Sequence, residues 1–334
     1  MKAVVLQSWR PDSSNYNFQN LLNAWEGISD IPEITGYRVE IVHDSSFESY
    51  DQAIGDAEIV IGFFITEENF NEELFIRHPN IRYLATLSHG YAEMDKALTQ
   101  KYGVTVTNTI YGAEAIAEFT LGLLFDICKN VQTNSDIVKS TDWTDPQPGT
   151  WFIPATRQLE ISGKTIGIIG LGNIGFQLAR KSDALGMHVL GYSRTYKEGL
   201  AYQFIDQVSL EQLLEESDII SINTPLTSET YHLIDRAAID QMKHGVILLN
   251  TARGEIIDEL ALTEALKSGK IYAAGLDVLS EEPPTKNIEL FQLDNVRITQ
   301  HIAWGSQETN LRAIEIALDN LVNYLQDQPT SVIS

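Results

Sequence analysis

The sequence predicts an α/β protein built from two doubly wound parallel-sheet domains, and three observations lead there. Short apolar runs alternate with amphipathic stretches from Ala3 onward, the rhythm of strand–helix–strand units in a parallel sheet. A segment rich in Trp and Pro interrupts that rhythm once, after which it begins again. At 334 residues the chain exceeds what one hydrophobic core usually serves, so two cores of ordinary size are expected.

The first series continues from Ala3 through Val39–Val42, Glu58–Ile61, Tyr83–Leu87 and Val104–Val106, and it defines a domain over residues 1–105. Glu114–Cys128 then reads as a strongly apolar helix. Trp143, Pro146, Pro148, Gly149, Trp151 and Pro154 follow, a composition that excludes regular helix or a central strand and marks a long connection. The second series begins at Thr165–Ile169 and recurs at His188–Tyr192, Asp218–Ile222, Val246–Asn250, Tyr272–Leu276 and Val296–Thr299, within a second domain over residues 106–301. Finally, Leu311, Ile314, Leu318, Leu321 and Leu325 fall at helical spacing before Pro329, so a long amphipathic helix closes the chain. We read it as returning to the first domain. Residues 1–105 plus 302–334 would then form one discontinuous domain with the other inserted in it. No internal repeat is detectable.

Composition narrows the function. Hydrophobic residues make up 43% and charged residues 21%, the profile of a folded globular chain. With 23 Lys and Arg against 46 Asp and Glu, the formal charge is -23, a surface that a nucleic acid duplex or an anionic membrane repels; neither is an expected partner. The opening Met1–Gln7 run reaches the polar Ser8-Trp9-Arg10-Pro11 turn too early for a signal-peptide core, and no run approaches the ~18 apolar residues of a membrane span. A cytoplasmic protein is expected. The single Cys128 reads as a small core hydrophobe, with no disulfide framework, and no metal ligands stand at recognisable spacing. An acidic protein that handles anions has to gather its few cations locally, which gives weight to each Arg inside a glycine-containing motif.

The run Gly163–Ile169 leads directly into Gly170-Leu171-Gly172-Asn173-Ile174-Gly175, with a helical stretch Phe176–Leu185 behind it. Strand, glycine turn and helix in that order suit a Rossmann-type dinucleotide site: Gly170 permits the tight turn, Gly172 the approach of backbone N–H groups to a pyrophosphate, and Gly175 close helix packing. The end of the following strand selects the dinucleotide, because an acidic residue there accepts from the ribose 2′-OH. Here it reads Ser193-Arg194-Thr195, with no carboxylate but a guanidinium and two hydroxyls for a 2′-phosphate. NADP is therefore preferred over NAD.

Three further strand ends carry candidate chemistry, since α/β folds bind ligands beyond the carboxyl ends of their strands. Val246–Asn250 ends in Thr251-Ala252-Arg253-Gly254; Tyr272–Leu276 ends in Asp277 and leads to Glu282; Val296–Thr299 ends in Gln300-His301-Ile302-Ala303-Trp304. A 2-keto acid needs a cation for its carboxylate and polarised carbonyl, and an acid for the developing alkoxide. Arg253 and His301 supply these, and Glu282 is placed to keep the imidazolium charged and oriented.

Taken together, Gly170–Gly175, Asn250-Thr-Ala-Arg-Gly254, Gly275-Leu-Asp-Val278 with Glu282-Pro283, and Gln300–Trp304 resemble, in order and spacing, the signatures of the D-isomer-specific 2-hydroxyacid dehydrogenase family, over nearly the whole chain. The resemblance implies a Rossmann-type cofactor domain inserted in a flavodoxin-like substrate domain, closing over cofactor and substrate. It also implies that Arg253 holds the substrate, that His301 is the acid/base supported by Glu282, that the product is the D-hydroxy acid, and that Asp277 lies near the nicotinamide. The loop Leu87–Asp95 is similar to the family's substrate-carboxylate loop, with His89 and Gly90 lining the cleft. Thr224, Pro225, Thr230 and Thr251 match cofactor-lining positions, and a homodimer through Glu114–Cys128 and the connection after it is implied. Within the family the similarity is to glycerate dehydrogenases and hydroxypyruvate reductases, on Trp304 and Tyr111–Ala117. Gln300 stands where the family often has Pro, and Ser193 replaces the 2′-OH-reading Asp. The end of the chain at Ser334 leaves no room for the added regulatory domain of many phosphoglycerate dehydrogenases. Two other readings stay open: a reductase of branched or aromatic 2-keto acids, depending on the volume around Leu87–Tyr91 and Trp304, and a dinucleotide-sensing corepressor-like protein. The role of Trp304 is open as well.

Overall fold

Two all-parallel sheets organise the chain, each the framework of one compact unit: Met1–Gly112 with Gly305–Ser334, and Ala113–Trp304. The computed structural model describes residues 1–8, 18–42, 46–63, 65–66, 68–88, 94–140 and 156–333.

In the first unit, β1 (Lys2–Ser8), α1 (Phe18–Ala24), β2 (Gly36–Val42), α2 (Phe47–Ile54), β3 (Ile59–Gly62), α3 (Glu72–Arg77), β4 (Tyr83–Thr86), α4 (Lys96–Lys101) and β5 (Thr105–Asn108) alternate along the chain. The strands line up in the order β2-β1-β3-β4-β5, all parallel. Every residue of β3 and β4 is buried, which explains why these strands read as continuous apolar runs rather than alternating ones. Helix starts are set by short polar side chains: Ser46, Asn71 and Asp95 accept from Ser49 N, Leu74 N and Leu98 N, each satisfying a donor that the first helical turn leaves over.

The second unit holds α5 (Ala113–Lys129), α6 (Val131–Ser140), β6 (Thr165–Ile169), α7 (Asn173–Ala184), β7 (His188–Tyr192), β8 (Asp206–Gln207), α8 (Leu210–Glu216), β9 (Ile219–Ile222), α9 (Arg236–Gln241), β10 (Val246–Asn250), α10 (Glu259–Ser268), β11 (Ile271–Leu276) and β12 (Val296–Ile298). Its strand order is β12-β11-β10-β9-β6-β7-β8. The two-residue β8 carries no apolar pattern and is absent from the sequence reading. Alternate strand residues feed two separate cores, as the pleat requires. Ile220, Ile222 and Leu248 meet Leu213, Leu262 and Leu266 on one face, while Ile219, Ile247 and Leu249 meet Leu121, Leu124 and Leu178 on the other. Cys128 is buried in the second of these cores. Among the described residues no helix is long and apolar enough to cross a membrane.

After the second unit, α11 (Gln307–Leu325) belongs to the first. Its stripe of Ala313, Ile314, Ala317 and Leu321 is buried, and the Tyr324 ring lies tilted against Tyr83 of β4 with centroids 4.6 Å apart. The chain then runs back along β5, where Asn108 N donates to Ser331 O and Ile333 N to Val106 O.

The junctions fall at 112/113 and 304/305, each a few residues C-terminal to the 105/106 and 301/302 of the sequence reading, and hydrogen bonds accompany the shift. Tyr111 Oη donates to Leu87 O at 2.8 Å and Arg312 Nη1 to Tyr111 O at 3.0 Å, keeping residues past β5 with the first unit. Trp304 Nε1 donates to His301 O at 2.9 Å and Ala303 N to Asp277 Oδ2 at 2.8 Å, keeping residues 302–304 with the second.

One buried side chain ties α11 to β5. Asn320, 3% exposed, donates through Nδ2 to Asn108 O at 3.1 Å and accepts from Thr330 Oγ1 at 2.9 Å. Replacing it by alanine removes both bonds from a buried position, so Asn320→Ala is expected to cost about 1–3 kcal/mol. The check is a lower urea midpoint with an unchanged slope; a wild-type midpoint would show that water replaces the amide there.

Candidate active site

The crevice of a doubly wound sheet opens where neighbouring strands leave in opposite directions. In the second unit that place lies between β6 and β9. The chain moves from β6 outward to β7 and β8, then crosses back to β9, β10, β11 and β12.

Gly170 follows β6 with φ 102°, a conformation open to glycine but costly for other residues. A Cβ there would also lie 2.5 Å from Asn223 O, and one at Gly175 would lie 1.9 Å from Gly170 O. The first turn of α7 is therefore drawn against the end of β6. Gly172, the N-cap of α7, differs: a Cβ built on it meets nothing within 4 Å, so its backbone faces open space at the positive end of a 12-residue helix. Beside it, Asn223 donates Nδ2 to Ser221 Oγ at 3.0 Å, while its Oδ1 is buried and without a hydrogen-bond partner among the described residues. Open space at a helix N-terminus and a spare acceptor at the switch point fit a dinucleotide. Asn173 and Ile174 form the first helical residues of this turn.

At the end of β7, Ser193 Oγ donates to Thr195 O at 2.6 Å, a local bond that shapes the turn. Arg194 and Thr195 are exposed. The loop after β9 is organised by its own hydroxyls. Thr230 Oγ1 accepts from Thr227 N at 2.7 Å and donates to Pro225 O at 2.7 Å, so Thr230 acts on the loop carrying Thr224 and Pro225. Thr227 Oγ1 donates to Glu229 Oε2 at 2.7 Å. That bond and the charge of Arg194 hold the Glu229 carboxyl below its usual range.

Arg253 stands beyond β10 on a loop clamped by Asn250. The Asn250 side chain is fully buried; it donates to Arg253 O at 2.9 Å and accepts from Ala252 N at 3.0 Å. Gly254 then brings this loop against the one after β11, where a Cβ would lie 2.0 Å from the carbonyl carbon of Leu279. Thr251 is 9% exposed and its hydroxyl pairs with Thr120 of α5 at 3.0 Å.

Asp277 follows β11. Its carboxylate is 1% exposed and faces inward, onto the loop after β12. Oδ1 accepts from Thr299 Oγ1 at 2.6 Å and Ile302 N at 2.9 Å, and Oδ2 accepts from Ala303 N at 2.8 Å. The Asp277 carbonyl accepts from His301 N at 2.8 Å, and its N–H donates to Asn250 O at 2.9 Å. One buried side chain thus folds the loop on which His301 stands.

His301 Nδ1 donates to Glu282 Oε2 at 2.8 Å, and Glu282 Oε1 accepts from Leu279 N at 2.8 Å, so both carboxylate oxygens are engaged. Partial burial pushes the Glu282 carboxyl upward. The hydrogen bonds from His301 and Leu279 N, with the charges of His301 and Arg253, outweigh it and hold the group below its ordinary value. The pair's contribution to stability is accordingly present at neutral pH and lost as the pH falls through that lowered value. Among the described residues, Nε2 of His301 has no hydrogen-bond partner. Side-chain exposures of 39% for His301 and 35% for Glu282 leave the imidazole reachable by a small molecule. A cation, an imidazole with one free nitrogen and a carboxylate fixing the other can bind an anion and hand over a proton.

Sequence reasoning brought out Arg253, Glu282 and His301 but gave no role to Asn250 or Thr120. A signal for Asn250 was available in the polar residue ending the apolar run Val246–Leu249. Thr120 sits within an apolar helix and offered none. His89 and Gly90 lie outside the described residues. No group of three or more His, Cys, Asp or Glu positioned to hold a metal occurs among the described residues.

Known proteins resemble the chain in sequence and fold. The family described as D-isomer specific 2-hydroxyacid dehydrogenase, NAD binding domain, matches residues 121–303. A hydroxypyruvate reductase of Blautia hydrogenotrophica is 35% identical over 336 residues, covering 100% of both chains. A glyoxylate reductase of Pyrococcus horikoshii is 38% identical over 269 residues, 79% of this chain and 80% of that one. Among solved structures, the TT0316 protein of Thermus thermophilus superposes with a TM-score of 0.82 at 29% identity, covering 100% of both chains. An acyclic imino acid reductase in complex with NADPH and D-Arg has a TM-score of 0.79 at 25% identity, again over 100% of both. With its dinucleotide crevice, its three strand-end residues and relatives matched from end to end, the chain belongs to the D-isomer specific 2-hydroxyacid dehydrogenase family, oxidoreductases acting on CH–OH groups through an NAD(P)-binding domain.

Proposed function

We propose that the protein reduces a small 2-keto acid to the D-2-hydroxy acid, with hydroxypyruvate or glyoxylate as substrate and NADPH preferred over NADH. The observation that carries the reading is the His301–Glu282 pair, 2.8 Å apart, with Arg253 close enough for its charge to act on Glu282. Arg253 binds the substrate carboxylate and polarises the keto oxygen; His301 gives that oxygen a proton from Nε2; Glu282 stabilises the imidazolium and fixes the ring. The nicotinamide, when bound, supplies the hydride to the keto carbon. Gly170, Gly172 and Gly175 with the start of α7 receive the pyrophosphate, and Thr224, Pro225 and Thr251 border the cofactor. Asp277 serves the same reaction from beneath, through the loop of His301.

The substrate choice is supported by hydroxypyruvate and glyoxylate reductases among the relatives. For the cofactor, the absence of a carboxylate at Ser193-Arg194-Thr195 and an Arg194 guanidinium without a hydrogen bond or ion pair among the described residues favour a 2′-phosphate. NADPH in the imino acid reductase is consistent with this choice. We assign the substrate-carboxylate loop, with His89 and Gly90, to the first unit, and read the enzyme as a homodimer. Buried Cys128, the only cysteine, suits a reducing compartment, and we place the protein in the cytoplasm.

Steady-state oxidation of NADPH and NADH with hydroxypyruvate, glyoxylate, pyruvate, 2-ketoisocaproate and phenylpyruvate tests the whole assignment. Fast NADPH turnover with either of the first two supports it, and preference for the bulky acids overturns the substrate choice. His301→Gln is expected to lower turnover by at least ~100-fold, the range of a lost general acid, with cofactor affinity retained by fluorescence titration; wild-type turnover would remove His301 from its role. Glu282→Gln leaves Nδ1 of His301 an acceptor but removes the anion, so kcat is expected to fall by about tenfold or more with cofactor affinity retained. An unchanged kcat would leave Glu282 no electrostatic part. Arg194→Ala should raise KM for NADPH by about 10-fold or more while leaving NADH nearly unchanged, the loss of a charge-assisted contact; equal effects on both cofactors would refute the 2′-phosphate assignment.

A further inference from the structure

His301 is a non-glycine residue in the left-handed region, with φ 56°. A side chain bearing a Cβ stays there only where its surroundings hold it. Both peptide planes that flank its Cα are held. The plane before it is fixed by His301 N donating to Asp277 O at 2.8 Å. The plane after it is gripped on both edges: Ile302 N donates to Asp277 Oδ1 at 2.9 Å, and the His301 carbonyl accepts from Trp304 Nε1 at 2.9 Å.

These two planes set φ and ψ of His301, and with them the direction in which its Cβ leaves the backbone. Glu282 then fixes the ring through Nδ1. Three grips on His301 therefore come from Asp277 and Glu282, and the remaining one from the indole of Trp304. Packing alone would make no use of the indole N–H, which a buried tryptophan normally directs at an acceptor. Here the acceptor is the carbonyl of the residue whose imidazole is held by Glu282.

We propose that Trp304 is a positioning residue for proton transfer, its indole N–H holding the His301 peptide in the left-handed conformation that aims the imidazole. The proposal rests on the reading of His301 as the proton donor. It distinguishes Trp304 from a pocket wall: a wall changes substrate affinity through its shape, whereas a grip on the His301 carbonyl changes the step in which the proton moves.

The test compares wild type, Trp304→Phe and a variant carrying benzothienylalanine at position 304, which keeps the shape of indole but lacks the N–H donor. Rates of reduction are followed across pH, in H2O and D2O, with thermal melting alongside. The benzothienyl variant is expected to lose about tenfold in kcat, within the penalty for a misaimed reacting group, with KM changed by less than about threefold. Its solvent isotope effect on kcat should rise. Melting should stay close to wild type, a readout that separates aim from stability. A benzothienyl variant with wild-type kcat and isotope effect overturns the proposal, as does one whose only change is in KM. His301→Gln separates the two levels. If that variant is inactive while the benzothienyl enzyme is fully active, only the role of Trp304 falls; if His301→Gln turns over normally, the proton-donor reading falls with it.

Discussion

A carboxylate out of reach of water must find donors, and at Asp277 that requirement shapes the loops around the crevice. Leaving such a group unpaired would cost several kcal/mol. The chain meets the demand with a hydroxyl and two backbone N–H groups, from Thr299, Ile302 and Ala303, at distances expected of charge-assisted bonds. Meeting it forces the segment after β12 to wrap around one point, and the wrap lifts His301 to face Glu282. Asn250 does a parallel task one strand over, using a neutral amide to hold residues 252 and 253. The two clamps are joined by the bond from Asp277 N to Asn250 O. The side chains proposed as catalytic are thus outer members of a layer whose inner members, Asp277 and Asn250, are polar and buried.

That layer also answers an electrostatic difficulty. A chain with formal charge -23 has to admit an anionic cofactor and an anionic substrate. Beyond roughly 8 Å, salt screens the exposed acids at physiological ionic strength, so what matters is the charge within the crevice. In the site proposed above, the N-terminus of α7, Arg194 and Arg253 supply the positive charge. The nearby acids are engaged: Glu282 by His301 and Leu279, Glu229 by Thr227, Asp277 by its loop.

Much of this was legible in the sequence because the chemistry leaves local marks. Gly170 and Gly175 are demanded by backbone approaches too close for any Cβ, and such demands appear in sequence as a spaced glycine motif. Arg253, Glu282 and His301 each follow an apolar run, so the end of the run locates them. What stayed hidden depends on contacts between segments distant in sequence or on side-chain direction. The inward turn of Asp277, the Thr120–Thr251 pair across 131 positions and the reach of the Trp304 indole back to a carbonyl have no periodicity to reveal them. The strand β8 was missed because two residues, Asp206 and Gln207, give neither alternation nor an apolar run. Both domain edges lie a few residues C-terminal to the reading for a similar reason: the hydrogen bonds from Tyr111 and Trp304 leave no mark in composition.

The return of α11 to the first unit has a consequence for synthesis on the ribosome. The sheet β2-β1-β3-β4-β5 emerges first, but the helix covering β4 and β5, with the tail that pairs along β5, is translated last, after the whole of Ala113–Trp304. The second unit is contiguous and can complete its two cores while the first still lacks Ala313, Ile314, Ala317 and Leu321. During that interval the nascent first sheet displays an uncovered apolar strip beside Tyr83, the kind of transient surface that invites aggregation or chaperone capture. The oldest part of the chain is thus the last to finish folding, and the vectorial order of translation is the reverse of the order of maturation.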